Sequence, residues 1–220
     1  MYTPPAFAEP RPDRVLGLVE AHDFATLVHA DGTDVALTHA PVFLHTPRHA
    51  AEATAVEGAT LELHLARANA LCRRLEQVPR LTVAVLGPSH YITPSWYETH
   101  GMVPTWNYAA VHLHCDVVPF TDPDRLHALF DRTAEAYEPA VGGDWSRAGD
   151  RQQMVDKLIR GIIGYRLTVR SHEASFKMSQ NKPPADRTAV IDGLNGLDTP
   201  AAREVATMMA DYLRETSTDD

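Results

Sequence analysis

Hydrophobic residues recur along this chain with two periods, and the elements change where one period gives way to the other. Behind Pro12 and Asp13, the positions Val15, Leu18, Val19 and His22 fall at i, i+3, i+4 and i+7, which predicts a helix over Arg11 to His22 with one buried stripe. Phe24 to Val28 and Asp34 to His45 are rich in β-formers and flank Asp31-Gly32, a hairpin signal. Pro41 within the second run confines that portion to an edge or a bulge. Residues 46 to 58, with Pro47 and Gly58, read as a surface loop. A strand from Ala59 to Leu65 then feeds a short helix, Arg67 to Gln77, with Leu71 and Leu75 inward and Pro79 as its stop. Leu81 to Leu86 is an unbroken apolar run closed by Gly87-Pro88, the profile of a strand buried on both faces.

Further along, Val111, Leu113, Cys115 and Val117 alternate with His112, His114 and Asp116, so one strand face is core and the other meets water or a partner. Asp122-Pro123 caps a helix through Leu126, Leu129, Phe130, Thr133 and Tyr137. Met154, Val155, Leu158, Ile159 and Ile162 repeat the helical spacing. Past Gly161 and Gly164 the period returns to two, with Tyr165, Leu167 and Val169 set against Arg166, Thr168 and Arg170. Thr199-Pro200 opens a last helix whose stripe of Val205, Met208, Met209, Tyr212 and Leu213 is either intrachain core or a dimer contact. About six antiparallel strands without βαβ alternation predict a mainly β fold with helices (α+β), a closed or split β-barrel. We read it as one domain over residues 1–220, with a helical insertion at about 122–160 and a C-terminal helix at about 199–215.

Composition narrows the partners. Hydrophobic residues make up 44% and charged residues 22%, an ordinary balance for a soluble protein. No apolar run is long enough to span a membrane, and the N-terminus lacks the basic and apolar regions of a leader, so a cytoplasmic location is expected. With 29 acids against 20 bases, net −9, and no groove-reading motif, direct binding to nucleic acid is not expected. Cys72 and Cys115 are too few and too far apart for a disulfide framework and read as small core residues.

The stretch from 88 to 112 spends costly residues. Pro94-Ser95-Trp96 and Pro104-Thr105-Trp106 each place a hydroxyl and an indole behind a proline that fixes the backbone. Such a pair offers a flat ligand a stacking face and a donor, or else fills the core. Tyr91-Ile92-Thr93-Pro94-Ser95-Trp96-Tyr97 and Val103-Pro104-Thr105-Trp106-Asn107-Tyr108-Ala109-Ala110-Val111-His112 resemble the signature of the PaiB family of flavin-binding split barrels. In the same order come Met1-Tyr2 with Pro4 and Phe7, His64-Leu65-Ala66-Arg67-Ala68-Asn69, and Phe176-Lys177-Met178-Ser179-Gln180-Asn181. The resemblance covers nearly the whole chain. It implies a split barrel of the FMN-binding type, a homodimer with cofactor sites at the subunit interface, a small-molecule ligand or substrate, and a link to negative transcriptional regulation.

The resemblance also proposes a set of cofactor-binding residues: His64, Arg67, Asn69, Ser95, Trp96, Thr105, Trp106, Asn107, Lys177, Ser179 and Gln180. For FMN, Arg67, Ser95, Thr105, Lys177 and Ser179 are of the type that holds a phosphate, with Trp96 or Trp106 on the ring. For haem b, His64 would be the axial iron ligand, as in the piperazate synthases, which resemble PaiB proteins and close an N–N bond in N-hydroxyornithine. This chain keeps Ser95-Trp96 and Trp106-Asn107 in the general PaiB form and carries Leu63 where the family usually shows glycine. Weaker candidates are His112 with His114, which share a strand face, and Glu98 with His100 at a turn. Each reads more simply as solvated polar surface.

Overall fold

The computed structural model describes residues 1–46, 53–149 and 151–216. Seven strands form one antiparallel sheet: β1 (Phe24–Ala30), β2 (Val35–Pro41), β3 (Phe43–Thr46), β4 (Thr60–Ala66), β5 (Arg80–Ile92), β6 (Thr105–Phe120) and β7 (Ile162–Lys177), in the order β2-β1-β5-β6-β7-β4-β3. Register shifts between Leu86 and Ser89 and between His114 and Cys115 bend the long central strands. The sheet therefore curls into a half-barrel, and β2 at one edge comes back beside β4, where Asn69 donates to Thr38 at 3.2 Å.

Alternation governs which side of each strand is buried. On β6 the side chains of Asn107, Ala109, Val111, Leu113, Cys115 and Val117 point into the barrel, and His112, His114 and Asp116 point out, as the sequence period predicts. Ala25 and Leu27 of β1, Leu81, Val83 and Val85 of β5, and Leu61, Leu63 and Leu65 of β4 complete that interior. At about 1.5–3 kcal/mol for each large aliphatic side chain removed from water, this one cluster dominates the stability of the fold. Both cysteines are free and buried; burial pushes the Cys115 thiol up to about 12, so it stays protonated and unreactive.

The helices are α1 (Pro12–Ala21), α2 (Ala70–Gln77), α3 (Pro123–Val141), α4 (Arg151–Leu158), α5 (Pro184–Asn195) and α6 (Pro200–Thr216). Helices α3 and α4 build a second, smaller core of Leu126, Leu129, Val155 and Ile159 with Phe43 and Phe120. Val205, Ala206 and Met209 of α6 are buried in the main core, so the methionine stripe is largely intrachain packing.

Several expectations are corrected. The run from 34 to 45 is two strands, because Val42 leaves the ladder to donate to Asp23 O at 2.8 Å. The helix expected from Arg67 begins at Ala70, and the one expected to reach Ile162 ends at Leu158 in a short 3-10 turn. Leu81 to Leu86 is buried on one face only: Thr82, Ala84 and Leu86 point outward, and Leu86 is 66% exposed. Part of the loop expected over 46–58 lies outside the described residues. No helix among the described residues is long and apolar enough to cross a membrane.

Candidate functional site: a dicationic cavity where strands β6 and β7 meet

Thr105 opens β6 and Lys177 closes β7, and the antiparallel register that pairs Tyr108 with Lys177 brings these two ends together. The Lys177 ammonium donates to Thr105 Oγ1 and lies 5.8 Å from the Phe7 ring. Beyond Lys177 the chain turns sharply through Ser179, which is held at φ 60°, a conformation that an L residue adopts only when its surroundings enforce it. Gln180 supplies part of that enforcement: its side chain accepts from Met178 N at 2.7 Å and donates to Phe176 O. Asn107 supplies the rest, donating to Ser179 Oγ at 3.0 Å and accepting the hydroxyl's return bond at 3.3 Å. Asn107 is fully buried, and its amide also reaches Met209 Sδ at 3.2 Å, so α6 braces the turn from behind.

The turn opens a cavity of about 410 Å³ whose walls include Lys177, Lys182, Thr105, Ser179, Asn181 and the Phe7 and Tyr97 rings. Lys182 lies over the Tyr97 ring at 5.9 Å and donates to Met102 Sδ at 3.3 Å. No carboxylate is among the lining residues. Asp186 stands behind the wall, its carboxyl held low by the bond from Thr99 N at 2.9 Å. Burial, and then the neighbouring Lys182 charge, lower the Lys177 ammonium below the ordinary lysine range. Burial likewise raises the Tyr97 phenol, with Asp186 adding to the effect against its bond to Ser179. Two cations that line one cavity, with the Thr105 and Ser179 hydroxyls and the Asn181 amide also in its wall, offer a seat for a compact anion.

Of the residues singled out in the sequence, Thr105, Lys177 and Ser179 line this cavity, with Asn107 and Gln180 shaping it. The others lie elsewhere in the chain. Trp96 is pressed against α5, where a Cβ added at Gly193 would stand 2.5 Å from the indole. Ser95 is an exposed turn residue. Trp106 points out of the barrel, 55% exposed, edge-on to Tyr91 at 6.2 Å. Asn69 caps α2 by accepting from Leu71 N at 2.9 Å. His64 pairs in register with Gly164, near the far end of the sixteen-residue strand that closes with Lys177. Its ring stacks on Phe130 at 5.5 Å, and burial keeps the imidazole pKa low and the ring neutral. Arg67 turns away to donate to Arg160 O at 2.8 Å. The paired indoles and His64 therefore do not converge with the Lys177 run within one chain. Sequence reasoning gave no role to Lys182, which directly follows a motif it quoted, or to Tyr97, which ends another.

His112 and His114 face Glu173 on the outer sheet surface at 3.5 and 3.6 Å. No group of three potential ligands among the described residues is placed to hold a metal ion.

A curled seven-stranded antiparallel sheet whose two edges approach each other defines a split-barrel type of protein. Comparison with known proteins agrees. The sequence profile of the family described as "Putative FMN-binding domain" matches residues 1–171, and the chain belongs to that family. It is 27% identical over 217 residues to "Protease synthase and sporulation protein PAI 2" of Bacillus subtilis, covering 98% of this chain and 99% of that protein. Among solved structures, the conserved hypothetical protein Rv2991 of Mycobacterium tuberculosis superposes with a TM-score of 0.57 at 13% identity, covering 83% of this chain and 94% of that one. The FAD and haem binding protein of Mycobacterium smegmatis superposes with a TM-score of 0.52 at 11% identity, covering 75% and 70%. At such identities these two establish the fold alone.

Proposed function

We propose that this chain binds flavin mononucleotide, with the phosphate between Lys177 and Lys182 and the Thr105 and Ser179 hydroxyls beside it. The observation that carries the reading is the meeting of two ammonium groups and two hydroxyls around a cavity with no lining carboxylate. The family description supports the same ligand. Bound flavin would supply one- and two-electron transfer. The chain's own part is to neutralise the phosphate, to fix Ser179 through Asn107, and to offer the Phe7 and Tyr97 rings as apolar wall. Titrating the full-length protein with FMN and with riboflavin, followed by visible absorption, tests this directly. FMN is expected to bind more tightly than riboflavin, and Lys177→Gln with Lys182→Gln to weaken FMN by about tenfold or more while riboflavin changes little. Equal affinity for the two flavins would defeat the reading.

A second reading, haem held by His64, is favoured by one observation: a half-buried imidazole, its pKa lowered by desolvation, with no hydrogen-bond partner among the described residues, the form that ligates iron. It requires the ring to leave Phe130. On this reading the chain is a haem-dependent catalyst of the piperazate-synthase type. A Soret band that His64→Ala abolishes is its signature, and turnover of N-hydroxyornithine its activity.

In either case the functional unit is a cytoplasmic homodimer, and its link to transcription runs through a ligand or another protein. A chain of net charge −9 without a groove-reading element is poorly suited to DNA.

A further inference from the structure

A hollow of about 300 Å³ lies between α1 and α6, and it shares no lining residue with the Lys177 cavity. The register shift between Leu86 and Ser89 of β5 helps to make it. Within that bulge Gly87 lets α1 come close, since an added Cβ would stand 2.5 Å from Leu18, and the neighbouring Pro88 is left facing the space. The wall is mainly apolar: Leu18 and Ala21 of α1, Met208 of α6, Pro88 and the buried ring of Phe176. Its size falls at the lower limit of small-ligand sites.

The polar groups at the rim restrict what can enter. Arg14 is held by Glu9 at 3.4 Å and by Glu215, and its guanidinium lies on the Tyr212 ring at 4.2 Å. Asp211 accepts from Arg214. Each charge on the rim therefore already faces one of opposite sign, and an ionised ligand would find no free counter-charge. The His22 ring also lines the hollow and has no hydrogen-bond partner among the described residues. A neutral imidazole offers one donor and one acceptor. A flat ring suits the apolar part, because Phe176 supplies an aromatic wall and Met208 a thioether, which makes favourable contacts with aromatic edges.

Phe176 belongs to the Lys177 cavity as well. Its carbonyl accepts from the Gln180 side chain, which in turn accepts from Met178 N at 2.7 Å and holds the Ser179 turn. On α6, Met208 lines the hollow and the next residue, Met209, receives the Asn107 amide at 3.2 Å. The hollow and the turn are thus joined at two points.

We propose that this hollow is a site for a small uncharged aromatic molecule carrying one N–H or O–H group, of the indole or phenol class, and that its occupancy tightens the Ser179 turn. The ring lies between Met208, Pro88 and Phe176, and its polar hydrogen is directed to His22. Filling the space immobilises the Phe176 ring and with it the carbonyl that Gln180 uses, so the turn opens less often.

Isothermal titration of the full-length protein with indole, 1-methylindole and indole-3-acetate tests the site. Indole is expected to saturate; 1-methylindole, which lacks the N–H, and indole-3-acetate, which adds a charge, should both bind more weakly. His22→Ala should weaken indole by about threefold to tenfold and leave 1-methylindole unchanged. Ala21→Phe, which fills the hollow, should abolish indole binding with an unchanged circular dichroism spectrum. Ala201→Phe, on α6 outside the hollow, should leave binding as it was. Hydrogen exchange at the Met178 amide should slow when indole is bound. Absence of saturable binding up to about 10 mM, undiminished binding in Ala21→Phe, or equal losses in both phenylalanine variants overturns the site. Tighter binding of indole-3-acetate than of indole overturns the uncharged ligand, and bound indole with unaltered exchange at Met178 overturns the link to the turn. None of these readouts involves flavin, so the FMN reading stands or falls separately.

Discussion

Glu62 shows how one residue fixes the boundary between barrel and helices. It sits on β4, 7% exposed, and takes hydrogen bonds from Arg125 and Arg132 of α3 and from Arg166 of β7. Burial alone would raise its carboxyl; the bonds from Arg166 and Arg132, with their charges and that of His45, outweigh burial and hold it below the ordinary glutamate range. A carboxyl depressed in the folded state contributes stability that is fully present above its unfolded value and disappears as pH falls through the folded one. Glu62→Gln should therefore lower stability at neutral pH by about 1–3 kcal/mol, a figure reduced from the usual buried-pair range because the three arginines are partly exposed. The gap from the parent should close as acid protonates the parent's own carboxyl. Urea unfolding from neutral to acid pH measures both; a gap that stays constant with pH would show that the carboxylate charge is not what matters.

At the scale of elements, α5 makes the comparison between sequence and structure concrete. The strands were legible because alternation forces one face inward, and α1, α3 and α6 because their stripes are regular. Helix α5 was not, since Pro184–Asn195 contains only a few apolar positions and buries Asp186 and Arg187 beside Val190 and Leu194, so no clean stripe exists to read. Its place is set instead by tertiary packing, against α6 and against the Trp96 indole, which lies where a side chain at Gly193 would stand. The Pro94-Ser95-Trp96 motif thus positions a helix in this chain, a role the motif alone does not reveal. Gly193→Ala should cost about 1–3 kcal/mol in urea unfolding, because the indole has to leave its slot. The double variant with Trp96→Leu should cost less than the two single changes added together. Strict additivity would mean that the helix and the indole are not coupled.

For the molecule as a whole, the candidate cavity was only partly legible because its two halves are far apart in sequence and meet through the antiparallel register of β6 with β7. Thr105 and Lys177 stood out by residue type, yet nothing in their spacing separated them from His64, which sits on β4 beside the opposite end of β7. The unbroken apolar run in β5 was read as doubly buried, and the structure leaves its outer half uncovered. Phe24, Leu37 and Leu86 are 69%, 63% and 66% exposed and share the outward face of β1, β2 and β5, as the register of Val28 with Leu37 and of Thr26 with Ala84 requires. Alternation that places large apolar groups outside a barrel conflicts with solubility unless that face is covered. In the proposed homodimer, a second copy packs on it by two-fold symmetry, so that each residue meets its own neighbourhood on the partner. Sedimentation at micromolar concentration should then give the mass of two chains. Leu37→Glu with Leu86→Glu should give one chain with unchanged secondary structure, since both side chains point away from the core that holds each barrel together. A pair variant that still sediments as two chains would move the interface elsewhere, and a parent that sediments as one chain would leave this apolar face without a second copy to cover it.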